Sequence, residues 1–190
     1  MKKPILLLSF FLLLTQLNWA QDTNDDYERW KYLLEDTGDV LQVALPVTAG
    51  LMTIFEKDYK GTKKFAFSYG TTIALTYSLK HIIKKKRPEG SDKFDSFPSG
   101  HTSSAFSGAS FIQRRYGWKW GAPAYILAGI TGISRMEGPI AYHDIWDVMV
   151  GAAIGIGSTY LFTKPHQTES AELGFYSYKD SYVLTFKYQF

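Results

Sequence analysis

The feature that most constrains this chain is where charge is missing. Val40–Phe55, Phe65–Leu79, Phe97–Gln113, Trp120–Ser134 and Val148–Thr163 contain no Asp, Glu, Lys or Arg. Each run is rich in Ala, Gly, Leu, Ile, Ser or Thr, and each is long enough for three or four helical turns. Gly151, Ala152, Ala153, Gly155 and Gly157 leave room for close helix approach. The pattern predicts an all-α fold over 21–165, a bundle of about five core helices. An amphipathic stretch at Tyr27–Asp39 precedes them.

Length alone does not say whether these helices cross a bilayer, since a span needs about 20 apolar residues and these runs are shorter. The charged joints favour the membrane. If the amino terminus is exported, the joint Glu56–Lys64 with Lys57, Lys60, Lys63 and Lys64 falls inside, as do Arg114, Arg115 and Lys119. That follows the positive-inside rule. The exception, Lys84-Lys85-Lys86-Arg87, falls outside, where its charges would meet an anionic substrate or surface. An inner-membrane bundle is the expectation, and a soluble periplasmic bundle is the alternative. Lys80–His101 and Ser134–Asp147 come out on one side, the outer one.

The ends read differently. Lys2 and Lys3, the apolar run Pro4–Leu14 and Ala20 before a polar start describe a signal peptide over 1–20. Over 166–190, Tyr182, Leu184, Phe186, Tyr188 and Phe190 recur with period two after Lys179-Asp180-Ser181, which predicts a short C-terminal β-hairpin. The chain has no cysteine, so disulfides, thiolate metal sites and cysteine nucleophiles are excluded. Its net charge of +3, from 21 basic and 18 acidic residues, is too balanced to argue for a nucleic-acid partner.

Three motifs carry chemistry. Lys80 and Arg87-Pro88 lie at the end of the second run, where Pro88 stops a helix and the helix dipole favours cations. Pro98-Ser99-Gly100-His101 opens the third run. Ser99 is placed to cap that helix, whose free N–H groups favour an anion, and Gly100 lets a ligand approach the backbone. Ser134-Arg135 is followed by His143 and Asp147. A helix would put those last two on one face, so the carboxylate could fix the imidazole tautomer. Alone, each motif has an ordinary structural explanation. Together they put two histidines, an aspartate and three cations on one side of a bundle, which is what a phosphate ester needs. No acidic cluster suggests Mg²⁺ and no His/Cys set suggests Zn²⁺, so the chemistry reads as metal-free and without a cofactor. The residues leave open which histidine attacks; the aspartate partner favours His143.

With these residues assembled, the chain resembles the type 2 phosphatidic acid phosphatase superfamily, which includes bacterial acid phosphatases and vanadium haloperoxidases. Lys80, Arg87 and Pro88 match its first motif, Pro98-Ser99-Gly100-His101 its second, and Ser134, Arg135, His143 and Asp147 its third. There is one departure: seven residues separate Arg135 from His143 where the pattern has five, and Gly138-Pro139 predict a turn that absorbs the extra pair. The resemblance covers about Val40–Phe162. It implies that His143 forms a phosphohistidine, that Asp147 orients it, and that His101 protonates the leaving oxygen and then activates water. Lys80, Arg87, Ser99, Gly100 and Arg135 would hold the phosphate. It implies a phosphatase acting on phosphate monoesters or pyrophosphates at the periplasmic membrane face, with a phosphorylated lipid as its partner. The other readings are a soluble acid phosphatase on small organic phosphates, a haloperoxidase, for which the chain is small, and an inactive envelope binding protein.

Overall fold

The computed structural model describes residues 26–88, 92–139, 142–166, 171–178 and 181–188. The expected signal peptide, 1–20, lies outside them. Five helices follow in order among the described residues: α1 (Asp26–Phe55), α2 (Tyr59–Ile83), α3 (Gly100–Tyr116), α4 (Trp118–Glu137) and α5 (Ile145–Phe162). The amphipathic stretch and the first uncharged run form one helix rather than two elements. α1 has 30 residues and continues through Pro46. The third run yields a helix only from Gly100, because Pro98 cannot donate and Ser99 is the N-cap.

α3 is the centre and packs on all four other helices. Small residues make this possible. A Cβ on Gly108 would lie 2.5 Å from the Pro46 nitrogen of α1, and one on Gly155 would lie 2.5 Å from the Ser103 carbonyl of α3. Hydroxyls then tie the helices together. Thr76 meets Ser103 at 3.0 Å, Thr72 donates to Ser107 at 3.2 Å, and Tyr69 meets Ser104 at 2.9 Å. The apolar core is also mostly small: Ala49, Ala105, Ala109, Ala124 and Ala128, with Leu45, Phe111 and Ile112.

Many of the large apolar side chains face outward. Ile126 is 67% exposed, Leu161 73% and Phe67 65%, whereas Thr72, Ser103 and Thr131 are fully buried. A water-soluble bundle sorts its residues the other way. Arg29–Phe55 and Ile145–Phe162 are long and apolar enough to cross a membrane.

The two ends of the bundle differ. At one end Arg115 grips Asp58 in the α1–α2 turn at 2.6 and 2.7 Å, and donates to the carbonyls of Lys164 and Pro165 beyond α5. The other end carries Lys80, residues 84–88 and 92–99, the start of α3, the end of α4 and the start of α5. After the bundle, Ala171–Tyr178 and Ser181–Tyr188 run antiparallel, with Ala171 opposite Tyr188. Five helices make the fold among the described residues. The expected C-terminal hairpin is not supported as part of it, and its turn at 179–180 lies outside the described residues.

Candidate active site

Five of the eight expected site residues, Lys80, Arg87, Gly100, His101 and His143, line one cavity of about 660 Å³, with Asp95 beside them. Lys80 comes from the last turn of α2 and donates to the main-chain oxygen of Asp95. Arg87 spans the Asp95 carboxylate with two donors, at 2.8 and 3.2 Å, and its guanidinium sits 5.2 Å over the Tyr142 ring. Gly100 and His101 are the first two residues of α3. A Cβ on Gly100 would meet Lys80 only at 3.8 Å, so this backbone stands open to the cavity. Arg87 holds the Asp95 carboxyl below its ordinary value of 3.8.

His143 and Asp147 are close, but not as neighbours on one helix face. Asp144 is the N-cap of α5, Asp147 its third residue, and His143 precedes the cap. The capping box sets the pair: the Asp144 side chain accepts from the Asp147 N–H, and Asp147 accepts from the Asp144 N–H at 3.2 Å. His143 Nδ1 lies 3.5 Å from Asp147 Oδ2 and has no hydrogen-bond partner among the described residues. Asp147 is fully buried and already accepts from Ser96 and, at 2.8 Å, from Lys85. Burial, with Lys80 and Arg87 nearby, pulls His143 down to about 4 against the opposing pull of Asp147. The ring is therefore neutral at neutral pH.

Three expectations change. Ser99 is fully buried, and its hydroxyl is engaged with Thr102, accepting from the Thr102 N–H and meeting Oγ1 at 2.9 Å. It works as a cap and does not line the cavity. Arg135 is 2% exposed and points at α1. Its Nη1 donates to Asp39 at 2.8 Å, its Nη2 to the Glu35 carbonyl at 2.8 Å and its Nε to Ser134 at 3.1 Å. Lys85 is no surface attractant, because its ammonium bridges Asp144 and Asp147. The extra pair of residues is absorbed at the end of α4. The helix runs to Glu137, the chain bends at Gly138-Pro139, and the His143 N–H returns to the Arg135 carbonyl at 3.2 Å.

A family model described as the PAP2 superfamily matches residues 61–170, more than half of the chain. The chain belongs to the PAP2 superfamily. With that membership it is a phosphoric ester hydrolase. The lipid A 4′-phosphatase of Helicobacter pylori strain J99 is 32% identical over 167 residues, covering 82% of this chain and 83% of that protein. The lipid A 1-phosphatase of Porphyromonas gingivalis is 38% identical over 80 residues, or 40% of this chain and 17% of that protein. The crystal structure of Aquifex aeolicus LpxE shares the fold, with a TM-score of 0.60 at 21% identity, covering 81% of this chain and 92% of that one.

Every motif residue lies inside the PAP2 match; α1, with Glu35 and Asp39, lies before it. Sequence reasoning passed over Asp39, Asp95, Ser96 and the role of Lys85. Asp39 did carry a signal. It is the last charge before the first uncharged run, so topology puts it at the same end as the opening of the third run, where His101 stands.

Proposed function

We propose that this protein is a metal-independent lipid phosphatase of the inner membrane, with its site facing the periplasm. What carries the lipid reading is the shape of the cavity. Its polar end is Lys80, Arg87, His101 and His143; away from it the walls are Val43, Val47, Leu51 and Ile54 of α1 and Phe65 and Ile73 of α2. From Lys80 to Phe65 an α2 face runs for 15 residues, about 22 Å at the helical rise. A phosphate at the cationic end would leave an acyl chain lying in this apolar cleft. The outward-facing apolar side chains and the hydroxyl-lined interior support placement in a bilayer. The site's orientation is supported by Lys57, Lys60, Lys63 and Lys64, which gather at the opposite end of the bundle.

In this reading neutral His143 attacks phosphorus as the P–O bond to the leaving group breaks, giving a phosphohistidine. Asp147 stabilises the positive charge that develops on the ring. His101 gives a proton to the leaving oxygen, then takes one from the water that releases phosphate. Lys80, Arg87 and the Gly100 amide hold the equatorial oxygens, with Arg135 adding charge from behind and Ser99 shaping the helix start. The bacterial relatives act on lipid A at different positions, so lipid A phosphates are the first substrates to test, with no position preferred.

Purified protein, with EDTA present, is assayed for phosphate release from lipid A, phosphatidate, isoprenyl pyrophosphate and soluble sugar phosphates. Lipid phosphates should be hydrolysed in preference, and His143→Ala should be inert. Faster turnover of sugar phosphates, or full activity in His143→Ala, would overturn the proposal.

A further inference from the structure

A carboxylate outside the PAP2 match reaches into the site. Asp39 of α1 places Oδ1 3.0 Å from His101 Nε2 and 2.8 Å from Arg135 Nη1. Glu35, one helical turn earlier, adds its carbonyl to the same guanidinium. This approach depends on the residue between them. A Cβ on Gly38 would sit 1.9 Å from Ser134 Oγ and 3.0 Å from Arg135 Nη2, so only glycine lets α1 lie this close to the end of α4. Asp39 is itself 48% exposed at the side chain, while Arg135 is 3%, so the carboxylate reaches inward from the rim to His101, which lines the cavity, and to the buried Arg135 behind it.

We propose that Asp39 is a positioning residue for the proton transfer carried out by His101. The inference rests on the phosphatase reading above. An imidazole has two nitrogens, and Asp39 accepts the proton on Nε2, so exchange with the substrate falls to Nδ1. The carboxylate keeps the ring facing the cavity and stabilises it when it carries both protons. His101 enters the first step carrying both protons, the second taken up as the phosphate dianion binds beside it; its Nδ1 proton then passes to the leaving oxygen as the P–O bond breaks and the P–N bond to His143 forms. His101 is left neutral, still held through Nε2–H. In the second step water gives its proton back to Nδ1 as its oxygen bonds to phosphorus and the P–N bond breaks. Asp39 gains and loses no proton in either step.

The test uses leaving-group demand. Departure of 2,4-dinitrophenolate needs no proton, whereas departure of the alkoxide of dioctanoyl phosphatidate does. The ratio kcat/KM reports events up to that departure, so the shared release of phosphate drops out. Asp39→Asn keeps an oxygen for both donors and removes the charge. It should lower kcat/KM on phosphatidate about 10–100-fold and change that on dinitrophenyl phosphate less than about threefold. Asp39→Glu should recover part of the phosphatidate rate. The differential separates His101 from Arg135, because a loss of charge stabilisation through Arg135 would slow both substrates alike. Equal losses on the two substrates, no loss on either, or a Glu variant no better than Asn would overturn the role of Asp39 while leaving the phosphatase intact. A wild-type protein inert towards both substrates would remove the phosphatase reading itself, and this inference with it.

Discussion

Asp95→Asn isolates a competition that the structure sets up inside the site. Arg87 is held by both oxygens of Asp95, so a phosphate dianion must displace a carboxylate to use that guanidinium. The pair is partly exposed, 17% at Arg87 and 47% at Asp95, which makes it worth about 1 kcal/mol. Lys80 is untouched by the substitution, because it donates to the main-chain oxygen of Asp95. Removing the charge should therefore tighten inorganic phosphate as a competitive inhibitor about fivefold, one kcal/mol being roughly that factor. The gap between wild type and variant should narrow as salt is raised, since the lost pair is half in water. Arg87 keeps the Asp95 carboxyl depressed, so it stays ionised above about pH 5 and the effect should be flat from there to pH 8. The assay is the inhibition constant of phosphate against a lipid phosphate at two ionic strengths. An inhibition constant that rises or stays put would refute the reasoning, and would mean that Asp95 aims Arg87 instead of occupying it.

At the opposite end, Asp58→Ala should cost about 3–5 kcal/mol of stability, because it leaves Arg115 buried without its carboxylate; a thermal melt in detergent measures this. Burial pushes the Asp58 carboxyl up, but hydrogen bonds from Arg115 and Gly61 outweigh it and the net shift is downward. Its stabilisation is thus complete above the ordinary value of 3.8 and lost as pH falls through the depressed one, so wild type and variant should converge only below about pH 4. Lys85→Ala should lower kcat by loosening the Asp144–Asp147 cap while the phosphate inhibition constant stays within about twofold, a pattern that a direct phosphate ligand would not give. Gly155→Ala should destabilise by about 1–3 kcal/mol, since its methyl would press on the Ser103 carbonyl and the Ser107 nitrogen; an unchanged melting temperature would mean that α3 and α5 are not in backbone contact.

The helices were legible because charge is excluded from their lengths, and the positions of Lys80, His101 and His143 at one end followed from counting crossings. Two things were hidden. Asp39, Asp95 and Lys85 contribute through tertiary pairing, and nothing in a charge's neighbours along the chain says which distant charge it will meet. The local geometry at His143 was read as four residues along a helix, but Asp144 takes the N-cap, so the helix starts at Ile145, two residues past the histidine. Arg135 matched its motif by position, yet its guanidinium turns to α1.

These hidden carboxylates follow from what a phosphate site costs when empty. Arg135 is almost without water, and an unpaired cation there would cost several kcal/mol. Asp39 meets that demand for Arg135, Asp95 for Arg87, and Asp144 with Asp147 for Lys85. The partners differ in how readily they can yield. Asp95 is about half exposed and can return to water when a dianion arrives, whereas Asp39 is tied to both His101 and Arg135 and Asp147 is fully enclosed. Binding at Arg87 is thus an exchange of anions whose net gain is far smaller than the bare attraction of a cation for phosphate. The cations that recognise the ester are then released as easily as they are engaged, which a turnover cycle ending in free phosphate requires.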